Sequence, residues 1–208
     1  QNGEDDELLS QLIEVCTKLG YDSLGTFEFL KTSDGEYFFL EMNTRLQVEH
    51  SVTEMTWGVD LVELQIKVAL GHNLQIQNKE PKGAAIECRI YAENPLCNFA
   101  PSPGIVETVN FAEDKDLRVD SYLRNGLEVP LFYDPMIAKL TVWGENRNAA
   151  RLKMIEVLAN SSLHGIPNNL AFHDYILRHP DFGAGKIHTN YLNVCWEELS
   201  TQFCTERK

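Results

Sequence analysis

Two short aromatic-rich segments separated by a turn sequence restrict the fold more than any other feature of this chain. Thr26 to Leu30 and Glu36 to Met42 carry aromatic side chains typical of strands, and Asp34-Gly35 lies between them. An Asp-Gly pair in this position indicates a hairpin, because a tight turn needs residues that tolerate a positive φ. The sequence therefore predicts an antiparallel β-hairpin here.

Polar side chains occupy every second position along the second strand and its continuation. These positions are Glu41, Asn43, Arg45, Gln47 and Glu49. Because the side chains of a strand alternate between its two faces, all of them would share one side for as long as the chain stays extended. The hairpin is therefore predicted to carry a polar face.

The turn also determines which residues of the hairpin lie opposite one another. If Asp34-Gly35 forms a two-residue turn, Glu28 lies directly opposite Glu41, roughly 5 Å away. Opposed like charges cost stability unless water, protonation of one acid or a bound cation relieves them. Magnesium prefers hard oxygen ligands, so Glu28, Glu41 and Asn43 are candidate metal ligands. The spacing is equally compatible with the solvated face of an ordinary hairpin, and a one-residue slip would separate the two acids.

Helical signals flank the predicted hairpin on both sides. Apolar residues recur at helical spacing from Leu8 to Leu19, and Gly20 lies where that helix would end. A second helix is predicted from Leu61 to Leu70, with Asp60 as its N-cap and Gly71 just past its end.

Short strands dominate the sequence beyond Gly83. They are predicted at Ala84 to Ala92, Gly104 to Phe111, Leu117 to Tyr122 and Met136 to Trp143. Helical signals return at Asn148 to Leu158, at Asn168 to Leu177 before Pro180, and at Thr189 to Leu199. The predicted fold class is therefore α+β.

A change in composition indicates two domains. The stretch from Gln75 to Lys82 is polar, contains Pro81 and is typical of a linker. We therefore expect a first domain over residues 1–75, a linker over residues 76–82 and a second, sheet-rich domain over residues 83–208.

Charge and cysteine content exclude several classes of function. The 208 residues include 31 acidic residues against 18 Lys and Arg, a net charge of -13 without a basic cluster. Nucleic acid and anionic membrane surfaces repel such a chain, and its apolar runs fall short of the roughly 20 residues that a membrane span requires. We therefore expect neither as a partner. Five scattered cysteines without a C-x-x-C pair favour a reducing compartment over a disulfide framework or a zinc site.

Several longer runs of residues resemble the biotin carboxylase family. The resemblance to its ATP-grasp signature lies in Gly25-Thr26-Phe27-Glu28-Phe29, in Glu41-Met42-Asn43-Thr44-Arg45-Leu46-Gln47-Val48-Glu49-His50 and in Val52-Thr53-Glu54-Met55. It continues in Glu87-Cys88-Arg89-Ile90-Tyr91-Ala92-Glu93, Pro101-Ser102-Pro103-Gly104 and Tyr133-Asp134-Pro135-Met136-Ile137-Ala138-Lys139-Leu140. The resemblance implies the end of an ATP-grasp domain followed by a biotin carboxylase C-terminal domain.

The resemblance also implies a reaction. ATP and bicarbonate would form carboxyphosphate, which breaks down to carbon dioxide and phosphate, and the N1 position of biotin would then be carboxylated. Glu28, Glu41 and Asn43 match the family's Mg²⁺ or Mn²⁺ ligands, and Glu49 matches its general base. Arg45, Gln47 and Val48 match its bicarbonate pocket. Arg89, which shares a strand face with Glu87, matches the arginine that stabilises the biotin enolate.

The partners follow from the same resemblance. They are a biotin carboxyl carrier domain, a carboxyltransferase subunit or domain, and a second copy in a homodimer. The run from Tyr133 to Lys139 is most like acetyl-, propionyl- and methylcrotonyl-CoA carboxylases. Such enzymes would place the chain in a bacterial cytoplasm or, in a eukaryote, in the mitochondrial matrix.

The chain departs from the family's pattern in three respects. Ser51 stands where the family usually has Pro, and the absence of that Pro frees the backbone φ angle just after Glu49. Leu24 stands where a small residue is common. Neither a Gly-rich lid nor an upstream nucleotide-binding lysine appears in the sequence. We therefore expect these segments to precede Gln1 in a longer protein and the chain alone not to cleave ATP, because phosphoryl transfer needs those donors.

Alternative interpretations remain open from the residues alone. Another ATP-grasp ligase, such as a carbamoyl-phosphate synthase half, would share the Glu28, Glu41 and Asn43 pattern. A non-catalytic scaffold would retain a dimer surface without turnover. Taken without the family, Arg89 is more often a surface ion-pair partner, and Lys139 is expected to be structural.

Overall fold

A computed structural model describes residues 2–74 and 80–206. These residues divide into two compact units, one drawn from residues 1–50 and 59–79 and the other from residues 51–58 and 80–208. Of the predicted linker, residues 76–79 lie outside the described residues.

The elements up to residue 74 are three helices and two strands. In chain order they are α1 (Asn2–Leu19), β1 (Thr26–Lys31), β2 (Tyr37–Asn43), α2 (His50–Trp57) and α3 (Leu61–Ala69). The predicted helix ends are confirmed by their caps, since the Asp60 carboxylate accepts a hydrogen bond from the Glu63 amide. Gly20 and Gly71 follow α1 and α3 with φ of 64° and 78°, a conformation that suits glycine. The helix α2 was not predicted.

The hairpin β1-β2 has the predicted pairing of Glu28 with Glu41, but its turn differs from the predicted one. The turn is one residue longer than predicted, because Lys31 pairs with Tyr37 and the Thr32 amide donates to the Glu36 carbonyl. A bulge between the Phe29 and Glu28 pairings compensates for the extra residue, so that Glu28 still lies opposite Glu41. The prediction of a two-residue turn was wrong, whereas the predicted carboxylate pair is confirmed.

The same bulge separates an aromatic face from a polar face. Phe29 pairs with Phe39 and their ring centroids lie 5.6 Å apart. If Leu40 were a regular strand residue, Glu41 would lie on the same aromatic face as Phe39, since side chains at i and i+2 share a side. The bulge turns Glu41 to the other side, where it meets Glu28.

Residues 80–206 contain nine strands and four α-helices. The strands are β3 (Ala84–Tyr91), β4 (Glu93–Asn94), β5 (Ala100–Pro101), β6 (Gly104–Ile105), β7 (Thr108–Asn110), β8 (Leu117–Ser121), β9 (Glu128–Val129), β10 (Met136–Gly144) and β11 (Ser162–His164). The helices are α4 (Arg147–Ala159), α5 (Leu170–Arg178), α6 (Pro180–Gly183) and α7 (Tyr191–Glu206), with a 3₁₀ turn at Pro95–Cys97. The α+β class is confirmed.

A three-stranded antiparallel sheet of order β3-β10-β8 lies at the centre of this unit. Leu140 and Val142 of the middle strand are fully buried and pack with Ile90 and with Met154 of α4 in one apolar core. This burial makes the apolar face of the sheet a main source of stability, at roughly 25 cal/mol per Å² of apolar surface removed from water. A smaller cluster joins α5 to α7 through Phe172, Leu199 and Phe203.

Two predicted elements of the second unit needed correction. The strand predicted from Gly104 to Phe111 is two strands, because the chain changes partner at Val106: β6 pairs with β9, and β7 pairs with β11. Pro180 ends α5 as predicted, with His179 extended before it, but it also begins the short helix α6.

No helix within residues 2–74 and 80–206 combines the length and the apolar character that crossing a membrane requires.

Candidate active site

The hairpin β1-β2 brings two carboxylates and two side-chain amides together. Asn43 Nδ2 donates to Glu28 Oε1 at 2.8 Å and to Glu41 Oε1 at 3.0 Å. Gln47 Nε2 also donates to Glu28 Oε1, at 2.9 Å. Two like charges therefore converge on a single amide group, which partly compensates for their repulsion.

These residues fit the metal that the resemblance implies. Carboxylate and amide oxygens are hard ligands, and magnesium usually takes one or two carboxylates while phosphate and water complete its shell. Among the residues that the structure describes, no cluster of three or more acidic, histidine or cysteine side chains could hold a metal. Asn43 and ligands from outside the protein would therefore have to supplement Glu28 and Glu41. The amide of Asn43 can present its oxygen by rotating about χ2, since its O and N are nearly isosteric.

The polar face does not continue as a strand, which corrects the expectation that all the alternating residues share one side. β2 ends at Asn43, and the chain then bends and turns into α2. Arg45 nevertheless stays beside the cluster, since its NH2 donates to Asn43 Oδ1 at 3.4 Å. Val48 and Glu49 lie in the turn directly before α2, Val48 half-buried and Glu49 exposed. The structure therefore gathers Glu28, Glu41, Asn43, Arg45 and Gln47 through hydrogen bonds.

The second unit carries a separate group of charged side chains on its central sheet. Two rows cross the sheet, one of Arg89, Lys139 and Asp120 and the other of Glu87, Thr141 and Arg118. Each row runs across directly paired positions, so all of these side chains share one face. Helix α2 packs on this face, because Glu54 forms an ion pair with Arg118, and Ser51 contacts Thr141.

Glu87 is the most enclosed acid of this face. Its side chain is 5% exposed, and its two oxygens have different partners. Oε1 accepts from Arg89 Nε at 3.1 Å, and Oε2 accepts from Ser51 Oγ at 2.5 Å. Lys139 Nζ lies 3.6 Å from Oε2, with its own side chain only 9% exposed. The predicted proximity of Glu87 and Arg89 is therefore confirmed, within a buried network that includes Lys139.

The main chain at Arg89 is also fixed. Its carbonyl accepts hydrogen bonds from His173 Nε2 at 2.8 Å and from Asn169 Nδ2 at 3.1 Å. Asn169 Oδ1 accepts from the Tyr91 amide at 2.9 Å, so α5 and the residue before it cover this edge of β3. Burial lowers the pKa of His173, which keeps its imidazole neutral near pH 7 despite the opposing effect of its hydrogen bond.

Sequence reasoning missed the roles of Ser51 and Glu54 and the extent of the ionic network. A signal was nevertheless present in the sequence. Lys139 and Thr141 interrupt an otherwise apolar strand at alternate positions, and Arg118 and Asp120 repeat the pattern in β8. Polar residues at i and i+2 in a strand whose other residues are apolar indicate a buried polar face.

Two family profiles match this chain. Residues 87–194, just over half of the chain, match the profile of the family described as biotin carboxylase C-terminal domain. The chain belongs to the biotin carboxylase family. Residues 1–77 match a second profile, described as carbamoyl-phosphate synthase L chain, ATP binding domain.

Individual relatives support the same assignment. The chain is 44% identical over 186 residues to a pyruvate carboxylase subunit of Methanothermobacter thermautotrophicus, covering 88% of this chain and 38% of that protein. It is 42% identical over 185 residues to biotin carboxylase of Haemophilus influenzae, covering 88% of this chain and 41% of the relative. The chain therefore spans about two fifths of the length of these curated relatives.

Solved structures of biotin carboxylases share the fold. The Hydrogenobacter thermophilus 2-oxoglutarate carboxylase biotin carboxylase domain, a dimer in complex with MgADP, ADP and bicarbonate, matches with a TM-score of 0.89 and 36% identity. This match covers 96% of this chain and 45% of that one. Biotin carboxylase of Campylobacter jejuni matches with a TM-score of 0.86 and 40% identity, over 93% of this chain and 43% of that one.

Because Glu28 and Glu41 repel each other, we expect neutralisation of one of them to stabilise the metal-free protein. In Glu41→Gln the side-chain oxygen still accepts from Asn43, but the like-charge repulsion is gone, so we expect metal-free stability to rise by about 0.5 kcal/mol. Mg²⁺ should raise the melting temperature of the parent and leave that of Glu41→Gln unchanged. Thermal unfolding with and without Mg²⁺ tests this, with the exposed residue Glu36→Gln as control. A variant that is less stable than the parent without metal would contradict it.

The neutral state of His173 predicts a pH dependence. The pKa of His173 is lower in the folded chain than in the unfolded chain. As the pH falls, His173 is therefore protonated in the unfolded chain before it is protonated in the folded one. The stabilisation is complete above the unfolded pKa of about 6.5 and is lost as the pH falls from there toward the folded value. Between pH 7 and pH 5.5 the free energy of unfolding should fall more in the parent than in His173→Gln. Chemical unfolding at both values measures this, with exposed His164→Gln as control, and equal losses in parent and His173→Gln would refute it.

Proposed function

We propose that this chain is part of a biotin carboxylase, the component of a biotin-dependent carboxylase that uses ATP and bicarbonate to carboxylate N1 of biotin. The observation that carries the proposal is the convergence of Glu28, Glu41, Asn43 and Gln47 on one polar face, in a chain that belongs to this family. The related Hydrogenobacter thermophilus domain, in complex with MgADP and bicarbonate, supports the choice of nucleotide, metal and anion.

The domain organisation proposed from the sequence fits the family profiles. Residues 1–75 would form the C-terminal part of an ATP-grasp domain, residues 76–82 a linker and residues 83–208 a biotin carboxylase C-terminal domain. The matched ranges, residues 1–77 and 87–194, support this division. Since the chain spans about two fifths of its relatives, we further propose that it does not cleave ATP without further segments that complete the nucleotide site.

The residues of the first unit would act on ATP and bicarbonate. Glu28, Glu41 and Asn43 would hold Mg²⁺ or Mn²⁺, which neutralises phosphate charge when it is bound. Arg45, Gln47 and Val48 would hold bicarbonate, since a fixed cation and polar donors suit a small planar anion. Gln47 already donates to Glu28, which keeps the bicarbonate pocket in register with the carboxylates.

Glu49 would act as the general base. Its carboxylate would take the proton from bicarbonate, and a bicarbonate oxygen would then attack the γ-phosphorus as its bond to ADP breaks. The carboxyphosphate formed would release carbon dioxide by cleavage of its C–O bond, with the phosphate retaining the bridging oxygen. Glu49 is an exposed residue of the turn before α2, as access to a substrate requires.

Arg89 would act on biotin. Its guanidinium is oriented by Glu87 through Nε, and its main chain is held by His173 and Asn169. A cation fixed in this way can stabilise negative charge on biotin during carboxylation with little reorganisation. The homologues are subunits or domains of biotin-dependent carboxylases, which supports a carrier domain, a carboxyltransferase and a second copy as partners, in the cytoplasm or the mitochondrial matrix.

Replacing the base tests the first half of the reaction. In the longest polypeptide that the natural reading frame encodes around this sequence, Glu49→Gln should lower bicarbonate-dependent ATP cleavage by about a hundredfold or more. The rate of ADP release with and without bicarbonate measures this. Glu63→Gln, an exposed acid on α3, serves as control and should match the parent. Undiminished ATP cleavage by Glu49→Gln would show that Glu49 is not the general base.

Replacing Arg89 tests the second half of the reaction. Arg89→Ala should lower biotin-dependent turnover by about a hundredfold, because a stabilising cation is lost, while biotin-independent ATP cleavage changes by only about a fewfold. Carboxylation of free biotin and ATP cleavage without biotin are the two measurements. Arg124→Ala, an exposed arginine of the same unit, is the matched control. Equal losses of the two activities would contradict a role specific to biotin.

A further inference from the structure

Ser51 is the second residue of α2 and lies against the ionic network of the central sheet. It is fully buried, and its hydroxyl lies 2.5 Å from Glu87 Oε2 and 2.9 Å from Thr141 Oγ1. A carboxylate oxygen can only accept, so Ser51 donates its proton to Glu87, and Thr141 can donate to Ser51 in turn. The hydroxyl thus completes a buried chain of hydrogen bonds that ends on Glu87.

Glu87 passes this restraint to Arg89. The two oxygens of one carboxylate are rigidly connected, so fixing Oε2 also fixes the position of Oε1. Oε1 accepts from Arg89 Nε at 3.1 Å, and this contact restrains the guanidinium. With Oε2 held by Ser51, the carboxylate cannot rotate away from Arg89 without breaking a charge-assisted hydrogen bond.

Lys139 does not replace Ser51 in this role. Its ammonium lies 3.6 Å from Glu87 Oε2 and 3.6 Å from Asp120 Oδ2, longer than a hydrogen bond to either acid. A lysine ammonium is a point charge with rotating donors, so it attracts both acids without fixing the orientation of one. Of these two groups near Glu87 Oε2, the Ser51 hydroxyl is the one within hydrogen-bond distance.

We propose that Ser51 is a positioning residue for Arg89, acting through Glu87, in the step that carboxylates biotin. The inference rests on the proposed function for its catalytic consequence, but its structural part stands on the contacts within the second unit. Proline would fit the first turn of α2 without interrupting the helix, so the backbone does not require serine here. What serine adds over proline is the donor to Glu87.

The experiment compares variants at Ser51 with one that removes its other partner. Ser51→Ala and Ser51→Pro remove the donor to Glu87, Ser51→Thr keeps it, and Thr141→Val removes the second hydroxyl while leaving Ser51 able to donate. The protein is again the longest polypeptide of the reading frame, labelled with ¹⁵N-arginine. The Nε–H resonance of Arg89 is assigned by its absence in Arg89→Lys.

The first readout does not depend on activity. In the parent, Ser51→Thr and Thr141→Val, the Arg89 Nε–H should give one sharp signal that exchanges slowly with solvent. In Ser51→Ala and Ser51→Pro its exchange should be faster by about tenfold, because a hydrogen bond to a charged group has been lost from its acceptor. An Arg89 signal unchanged in Ser51→Ala and Ser51→Pro would overturn the proposal, whatever the enzyme does.

The second readout separates positioning from general stability. Ser51→Ala should lower biotin-dependent turnover by about tenfold and change biotin-independent ATP cleavage by less than about twofold. Ser51→Thr should restore the ratio of the two activities, and Thr141→Val should keep it. Equal losses of both activities, or the same effect in Thr141→Val, would overturn the positioning role. If the parent itself shows no biotin-dependent turnover, the proposed function fails, and the Arg89 signal still decides whether Ser51 orients Arg89.

Discussion

The buried carboxylate of Glu87 needs cations and hydrogen-bond donors around it, and the second unit is built to supply them. Burying an unpaired charge costs several kcal/mol, so the neighbours of Glu87 have to be cations and donors. The sheet supplies Arg89 and Lys139, and α2 supplies Ser51. An isolated helix of eight residues is unstable in water, so α2 depends on these contacts and on the Glu54–Arg118 pair for its place on the sheet. The same network that satisfies Glu87 therefore holds both α2 and Arg89.

The first unit shows the opposite arrangement. Glu28 and Glu41 face each other near the surface, and the hairpin keeps them together by a bulge instead of separating them. Asn43 and Gln47 offset part of the repulsion with neutral donors. Such a pair weakens the free protein and strengthens binding of a cation, which is a common property of sites that hold a metal bound to substrate phosphate. Clustered acids therefore have different partners in the two units, which are fixed cations in the second unit and neutral amide donors in the first.

Local signals in the sequence were sufficient where the structure is decided locally. The caps of α3 at Asp60 and Gly71 and the end of α1 at Gly20 depend on a few neighbouring residues, and each was predicted. The helix α2 was missed because its buried residues are Ser51 and Glu54, so its inward face has no apolar periodicity to detect.

The bulge at Leu40 shows the limit of register arguments. The facing of Glu28 and Glu41 was predicted from a two-residue turn, yet it arises from a longer turn and a compensating bulge. The leucine at position 40 does not by itself signal a bulge. The bulge depends on how the whole hairpin places its aromatic and acidic side chains on opposite faces. The family resemblance pointed to residues that the structure brings together, whereas the geometry that does so came from the structure.

The proposed function requires that bicarbonate attacks ATP to form carboxyphosphate. The most direct measurement follows the oxygen atoms of ¹⁸O-labelled bicarbonate during ATP cleavage by the longest polypeptide of the reading frame. If a bicarbonate oxygen attacks the γ-phosphorus, the inorganic phosphate released should carry one ¹⁸O per turnover, detectable by mass spectrometry. Phosphate released without ¹⁸O would mean that water attacks ATP, and would contradict the account.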